Sequence, residues 1–276
     1  MSILYIVGTP IGNLSDMSPR ALEILGSVDF IAAEDTRVTL KLLTHFGIKK
    51  PLISCYEHNI VSRSEMIIDR LLNGESCAVV TDAGMPCISD PGEELVKQCY
   101  EHGITVNVVP GATAAMSALA VSGLSAGRFS FEGFLSVTKK QRTAHLEEIK
   151  SLRHTLIFYE APHKLKNTLK DLYEYLGDRK IALCRELTKI HEEVLRGTLS
   201  SMLEYYSEKE PKGEYVLIVE GAPEPVEENY NIDTASDYAL QLTEQGMKRS
   251  DACREAAKKF GFSKSEIYAA LNNSSD

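Results

Sequence analysis

The sequence predicts an α/β protein, with two consecutive α/β/α domains facing each other across a cleft and a small all-α domain behind them. Three observations predict this. Apolar, β-branched runs alternate with amphipathic stretches up to about residue 220, the pattern of layered strands and helices with mainly parallel sheets. Loop residues in Gly123-Leu-Ser-Ala-Gly127 break the alternation once. Beyond the acidic, Pro-containing stretch that starts at Ala222, only helix-like segments remain. The expected layout is therefore a first α/β domain over 1–123, a second over 124–222, a linker over 223–235 and a helical domain over 236–276.

Five strands are predicted before residue 110: Leu4–Val7, Phe30–Ala33, Leu52–Cys55, Cys77–Thr81 and Thr105–Val109. Each is a short apolar run bounded by turn residues. Amphipathic stretches at Ser18–Leu25, Arg63–Leu72, Gly92–Gly103 and Ala112–Val121 supply the helices between and after them. Strands in the second set are Thr155–Tyr159, Lys180–Cys184 and Tyr215–Val219, with further ones near Phe129–Gly133 and Thr198. In the last domain a helix is expected over Ser236–Gln245 and a second from a Ser250 cap to Lys259. A third starts at Ser263 or Ser265 and ends near Leu271. Short helices split by Gly-containing turns suggest a helix-turn-helix-like unit.

Composition narrows the function. An apolar fraction of 43% and a charged fraction of 25% over 276 residues are ordinary globular values. The apolar start runs into Gly8-Thr-Pro without a basic segment before it, which reads as a buried first strand and not a signal peptide. No run reaches the roughly 18 apolar residues of a membrane span. The six cysteines form no C-x-x-C pair and read as reduced structural residues of a cytoplasmic protein; neither an H-E-x-x-H nor a ligand-spaced His cluster points to a metal. A net charge of −9 argues against a general nucleic-acid coat, so any RNA contact must rest on local basic patches.

Ligands of open α/β sheets bind beyond the carboxyl ends of the strands. There the sequence places Gly8-Thr-Pro-Ile-Gly12, Glu34-Asp-Thr-Arg37, Tyr56-Glu-His-Asn59, Thr81-Asp-Ala-Gly84, Ser89-Asp-Pro-Gly92, Pro110-Gly111, Glu160-Ala-Pro-His163 and Arg185-Glu-Leu-Thr188. Turns need Gly, Asn or Pro. They have no need of Glu-Asp-Thr-Arg or Arg-Glu-Leu-Thr, which therefore point to a site. The spacing Gly8-x-x-x-Gly12 is not a dinucleotide fingerprint, and there is no P-loop.

Taken together and in order, Gly8-Thr-Pro-Ile-Gly-Asn-Leu14, Ala33-Glu-Asp-Thr-Arg37, Thr81-Asp-Ala-Gly84, Ser89-Asp-Pro-Gly92, Pro110-Gly111, Phe158-Tyr-Glu160, Arg185-Glu-Leu-Thr188 and Gly213-Glu-Tyr-Val216 resemble the methyltransferases of tetrapyrrole methylase fold. Glu34-Asp-Thr-Arg37 with Ser89-Asp-Pro-Gly92 is similar to the ribosomal RNA branch, which 2′-O-methylates a cytidine of 16S ribosomal RNA. The resemblance implies S-adenosylmethionine (SAM) held in the cleft. Pro10 would line the sulfonium side, and Asp82, Ala83 and Gly84 would meet the methionine part. Ile88 would pack on the ligand, Ser117 and Ala118 would close the adjacent wall, and Tyr159, Leu187 and Glu214, Tyr215 and Val216 would hold the adenosine. It also implies a decoding-centre cytidine of the small ribosomal subunit as acceptor, a homodimer, and neither membrane nor metal.

A ribose hydroxyl is a weak nucleophile, so a general base helps. Candidates are Glu34, Asp35, Asp82 and Asp90, with His58 behind them. Arg37 either holds a phosphate, locks Glu34, or joins Glu34–Arg37 in capping a helix. For RNA the candidates are Lys139, Lys140 and Arg142, expected in a loop, and Lys248, Arg249, Arg254, Lys258, Lys259 and Lys264 in the helical domain. Two other readings compete: a porphyrin or corrin methyltransferase, and a non-catalytic RNA-binding assembly factor on the same fold.

Overall fold

The computed structural model describes residues 2–56, 60–90, 92–224 and 231–273; side chains of 60–62 and 273 are not described. The chain divides into two compact units, Met1–Pro223 and Glu224–Asp276.

The first unit opens with a five-stranded sheet, β1 (Ile3–Val7), β2 (Phe30–Ala33), β3 (Leu52–Ser54), β4 (Cys77–Val80) and β5 (Thr105–Val109). Its order is β3-β2-β4-β1-β5 and every pairing is parallel. Side chains alternate between two buried faces, as the period of two demands. Leu4, Ile6, Phe30, Ala32, Cys77 and Val79 meet one core cluster with Ile67 and Leu71 of α3 (Ile60–Leu72) and Leu95 and Cys99 of α4 (Glu93–Glu101). Val7, Ile31, Ala33, Ala78 and Val80 meet the other with Ala21 and Leu25 of α1 (Pro19–Ser27) and Leu43 of α2 (Thr36–His45). Burial on both faces explains why these strands read as continuous apolar runs.

A second five-stranded sheet holds β6 (Phe129–Phe134), β7 (Thr155–Glu160), β8 (Lys180–Arg185), β9 (Glu193–Thr198) and β10 (Tyr215–Val219) in the order β6-β7-β10-β8-β9. This sheet departs from the parallel expectation. Only β6 and β7 run parallel; β10 lies antiparallel between β7 and β8, and β9 is antiparallel to β8. The insertion of β10 is a non-local pairing that strand–helix alternation does not encode. One face of this sheet packs on α6 (Lys139–Ile149), α7 (Leu165–Leu176) and α8 (Leu199–Tyr205) through Leu156, Phe158, Leu183 and Leu217. The other packs on Ala115, Ala118 and Leu119 of α5 (Ala114–Ser122) through Ile157, Ala182, Cys184, Val216 and Ile218. Helix α5 thus packs on the second sheet, although in sequence it was assigned to the first domain. Arg196 of β9 fastens its end by donating from Nε to the Ser122 carbonyl at 2.9 Å and from a terminal nitrogen to that of Val121.

The second unit is a three-helix cluster, α9 (Ile232–Glu244), α10 (Arg249–Phe260) and α11 (Lys264–Asn273), with its own core of Ala235, Ala239, Ala252, Cys253, Ala256, Ile267 and Leu271. Helix α9 starts earlier than the sequence suggested, because Asn231 caps it by accepting the Thr234 amide. Lys248, not Ser250, stands at the cap position of α10. Gly261 closes α10 in the left-handed region, and Ser263 with Glu266 forms a reciprocal cap at the start of α11.

Candidate active site

The loops after β1 and β4 leave the first sheet side by side. Thr9 and Gly84 exchange backbone hydrogen bonds at 2.8 and 3.2 Å, and the Thr9 hydroxyl donates to the Thr81 carbonyl at 3.2 Å. Gly8 permits this closeness: a Cβ there would stand 2.7 Å from the Gly111 backbone, which has no room to give. Opposite, the loop after β8 carries Glu186 and Thr188 in the left-handed region, as the loop after β4 carries Cys87 and Ser89. Non-glycine residues seldom adopt this conformation, and such strain collects at functional sites.

Between these loops lies a cavity of about 680 Å³, within the range of small-molecule sites. Its first-sheet side offers Ile11, Ala83, Gly84, Met85, Ile88, Ser89 and Asp90; α5 contributes its first turn from Thr113 to Met116. The second sheet adds Phe131, Phe134, Tyr159, Cys184, Leu187, Glu214, Tyr215 and Val216, with Glu186 and Lys189 at the edge. The lining is mostly apolar with a few convergent polar groups. The Tyr159 hydroxyl accepts the Ala115 amide at 3.2 Å, and its ring stands edge-on to Phe131 and Phe134. Burial raises the Tyr159 hydroxyl above its ordinary pKa, with the Asp90 charge adding to the effect. Lys189 Nζ donates to Glu186 at 2.9 Å and to Glu214 at 2.8 Å, and the Glu214 amide also bonds Glu186. Gly213 leaves room for that carboxylate, since a Cβ there would meet Glu186 within 2.8 Å.

The acidic candidates form a connected rim. The Thr81 hydroxyl and the Asp82 amide donate to Glu34 at 2.5 and 3.4 Å, and the Asp35 amide donates to Asp82 at 3.2 Å. Asp90 lies on the cavity wall beyond them. Its carboxyl is pushed up to about 6, first by burial and then by the charge of Glu34. Asp82 is raised by the same two causes. Asp35 differs: bonds from the Arg37 side chain and amide hold it well below the ordinary value, and it caps α2. Arg37 therefore pairs with Asp35, not Glu34, and stays 87% exposed.

Of the residues expected to hold SAM, Ala83, Gly84, Ile88, Tyr159, Leu187, Glu214, Tyr215 and Val216 line the cavity together with Asp90. Pro10, Ser117 and Ala118 do not. Pro10 is buried beside Ile11, which faces the cavity instead, and Ala118 is buried against Cys184 in the packing of α5 on the sheet. Residues Thr113–Met116, at the start of the same helix, line the cavity in their place. Glu34, Asp35, Arg37 and Asp82 are not among the residues that line the cavity. His58 and Pro91 fall outside the described residues. Sequence reasoning missed Ile11, Met116, Phe131, Phe134, Glu186 and Lys189 as lining residues; Ile11 was signalled by the Gly8–Gly12 loop and Glu186 by the Arg185–Thr188 loop, which Lys189 directly follows.

The basic candidates scatter. Lys139, Lys140 and Arg142 lie in the first turns of α6 and not in a loop; Lys139 and Lys140 are exposed, whereas Arg142 is tied to Asp171 at 2.8 Å. In the helical unit Arg254 pairs with Asp251, Lys259 sits over the Tyr238 ring, Arg249 over Tyr268, and Lys264 donates to Ser250, while Lys258 is exposed. All six cysteines are free, and among the described residues no cluster of His, Cys, Asp or Glu is arranged to hold a metal. No helix of the described residues is long and apolar enough to cross a membrane.

Residues 3–203 match the family model of tetrapyrrole (corrin/porphyrin) methylases. A protein of Synechocystis sp. named ribosomal RNA small subunit methyltransferase I is 46% identical over 269 residues, 97% of this chain and 96% of the relative. A Thermotoga maritima protein of the same name is 46% identical over 221 residues, 80% of this chain and 99% of its own length. The crystal structure of uroporphyrin-III-C-methyltransferase from Thermus thermophilus shares the fold with a TM-score of 0.55 at 19% identity, over 79% of this chain and 94% of that one.

Proposed function

The chain belongs to the tetrapyrrole methylase family, and from that premise we propose that it transfers a methyl group from SAM to the RNA of the small ribosomal subunit, at the 2′-hydroxyl of a decoding-centre cytidine. The observation that carries the reading is the near-full-length identity to relatives named for small-subunit ribosomal RNA, at more than twice the identity of the porphyrin methyltransferase.

The cavity suits the donor. Leu187, Val216 and Tyr159 offer the apolar slot that adenine needs, and the backbone of Glu214–Val216 offers donors and acceptors beside it. Bound SAM would supply an electrophilic methyl on a cationic sulfur. The carbonyls and carboxylate on the Ala83–Asp90 side favour that cation with no metal needed.

Asp90 is the base of choice. A carboxylate raised to about 6 is mostly ionised at pH 7, yet more basic than a free one. With SAM bound, one of its oxygens would take the ribose proton as the sugar oxygen bonds to the methyl carbon and the methyl–sulfur bond breaks, leaving the neutral thioether S-adenosylhomocysteine. Glu34 and Asp82 act through Asp90 by holding its affinity for that proton high. Asp35 and Arg37 shape the start of α2. The exposed Lys139, Lys140, Lys248 and Lys258 are the candidates free to meet phosphates; Arg142, Arg249, Arg254, Lys259 and Lys264 serve packing and pairing first. In this reading the protein works in the cytoplasm as a homodimer.

The test uses radiolabelled SAM with three acceptors: unmodified small subunits, their naked RNA, and a porphyrinogen. The expected product, after digestion of labelled subunits, is 2′-O-methylcytidine. Label in the porphyrinogen alone would transfer the assignment to small-molecule chemistry. Label on a base instead of a ribose would keep the RNA substrate and remove the proposed 2′-oxygen chemistry.

A further inference from the structure

We propose that Phe134 is a stacking platform for the target nucleobase, flanked by Lys139 and Lys140 as phosphate contacts, so that the acceptor nucleotide enters as an unstacked single-stranded residue. The proposal rests on the methyl-transfer reading above and deepens it.

The observation begins with backbone register. In β6, Phe131 pairs with Ile157, Gly133 with Phe158 and Phe134 with Tyr159, so Glu132 is an extra residue. Regular alternation would send Phe131 and Phe134 to opposite faces. The bulge, with Gly133 at φ +63°, returns both to the face of Tyr159. Phe131 is half-buried there, but Phe134 stays 55% exposed at the cavity edge. Its ring meets Tyr159 edge-on at 5.6 Å, and Tyr159 is itself fixed by the Ala115 amide. An aromatic ring held by such a chain of contacts is pre-organised rather than floppy.

Position supplies the second argument. A Cβ on Gly133 would stand 3.6 Å from the Ser89 hydroxyl, so the loop that carries Asp90 runs directly beside the bulge. Ile88 on that loop is 53% exposed and lines the same cavity. The buried end, at Cys184, Leu187 and Val216, suits the donor; the open end has an exposed aromatic face, an exposed aliphatic side chain and the proposed base. A ribose that presents its hydroxyl to Asp90 must carry its base at the open end.

Charge supplies the third. The chain runs from Phe134 through exposed Val137 to Lys139 and Lys140, both exposed, in an otherwise acidic protein. An aromatic ring followed by unpaired cations is the recognition chemistry of single-stranded RNA, where bases stack and lysines hold phosphates.

The sequence contains no tryptophan, so Phe134→Trp creates a single reporter. With S-adenosylhomocysteine saturating, unmodified small ribosomal subunits are expected to quench that indole by at least half. The indole of Tyr100→Trp on α4, at an 85% exposed position outside the cavity lining, should not respond. Phe134→Leu keeps an apolar side chain against Tyr159 and should raise KM for the subunit about tenfold, the loss of one stacked base, with SAM affinity unchanged; Phe134→Tyr should recover most of that loss. Lys139→Ala and Lys140→Ala should each lower the salt dependence of subunit binding by about one phosphate contact. An unchanged KM in Phe134→Leu overturns the inference, as does an indole that ignores the subunit, so long as the wild-type chain methylates it. If the wild-type chain transfers no methyl group to subunits while the indole is still quenched, the proposed function falls and the stacking site stands.

Discussion

The Thr81 hydroxyl donates to the Glu34 carboxylate at 2.5 Å, which fastens the end of β4 to the end of β2 and sets a negative charge behind Asp90. Burial and that charge together keep Asp90 protonated to higher pH than a free carboxyl. Methyl transfer should therefore rise with pH through an inflection near 6 and then level off. Asp90→Asn should lower kcat by about 10²- to 10⁴-fold, the range for loss of a general base. Glu34→Gln should move the inflection to lower pH, because the repelling charge is gone. Single-turnover rates across pH 4.5–8.5 check all three; an Asp90→Asn rate within threefold of wild type would remove Asp90 from the chemistry.

Stability should carry the same signature with a definite sign. A carboxyl whose folded-state pKa is raised binds its proton more tightly in the folded chain, so stability falls as pH climbs from about 4 to about 6 and stays lower above that. Asp90→Asn removes this penalty. It should stabilise the protein by about 1–2 kcal/mol at pH 7.5, after discounting for partial solvation, and by much less at pH 4. Denaturant melts at the two pH values measure the difference.

Two glycines on the loop after β1 should behave differently. Gly8→Ala sets a methyl 2.7 Å from the Gly111 backbone, and backbone cannot step aside; a loss of about 1–3 kcal/mol or more is expected. Gly12→Ala meets Cγ of Lys189 at 2.5 Å, the Thr188 hydroxyl at 2.7 Å and the Leu187 carbonyl at 3.0 Å, so the opposing loop itself must shift. It should cost stability too, but unlike Gly8→Ala it should also lower SAM affinity, because that loop carries Leu187 into the cavity. Thermal melts paired with calorimetric titration of SAM separate the two effects.

Much of this was legible in the sequence, for identifiable reasons. The central strands β2 and β4 are buried on both faces, and Phe30–Ala33 and Cys77–Val80 appear as the apolar runs they are; the edge strand Thr105–Val109 is partly exposed, yet its valines still mark it. The Ala83–Gly84, Leu187 and Glu214–Val216 segments sit at strand ends, where a parallel sheet collects its ligands. The antiparallel insertion of β10 was not legible, because pairing across distant segments leaves no local period. Strand β9, Glu-Val-Leu-Arg-Gly-Thr, mixes charge with apolar residues at the sheet edge and gave only a hint at Thr198. Helix α6 begins Lys-Lys-Gln-Arg and exposes most of its surface, so it read as a loop. Phe134 escaped because a bulge defeats the rule of alternation.

The helical unit should prove separable from catalysis. The Thermotoga relative is matched over 99% of its length by 221 residues, so a protein named for the same ribosomal RNA methyltransferase as the Synechocystis relative is about 50 residues shorter than this chain. A chain ending at Pro223 should bind SAM as the full protein does and keep its kcat, with subunit KM raised no more than about tenfold, since one or two phosphate contacts are lost. Equal loss of SAM and subunit binding would assign the helical unit a structural role instead.

A crystal grown with SAM tests the central claim most directly. The account predicts density in the cavity, with adenine against Leu187 and Val216 and the methyl group on the side of Asp90. Density elsewhere on the chain, or a methyl turned away from Asp90, would contradict it.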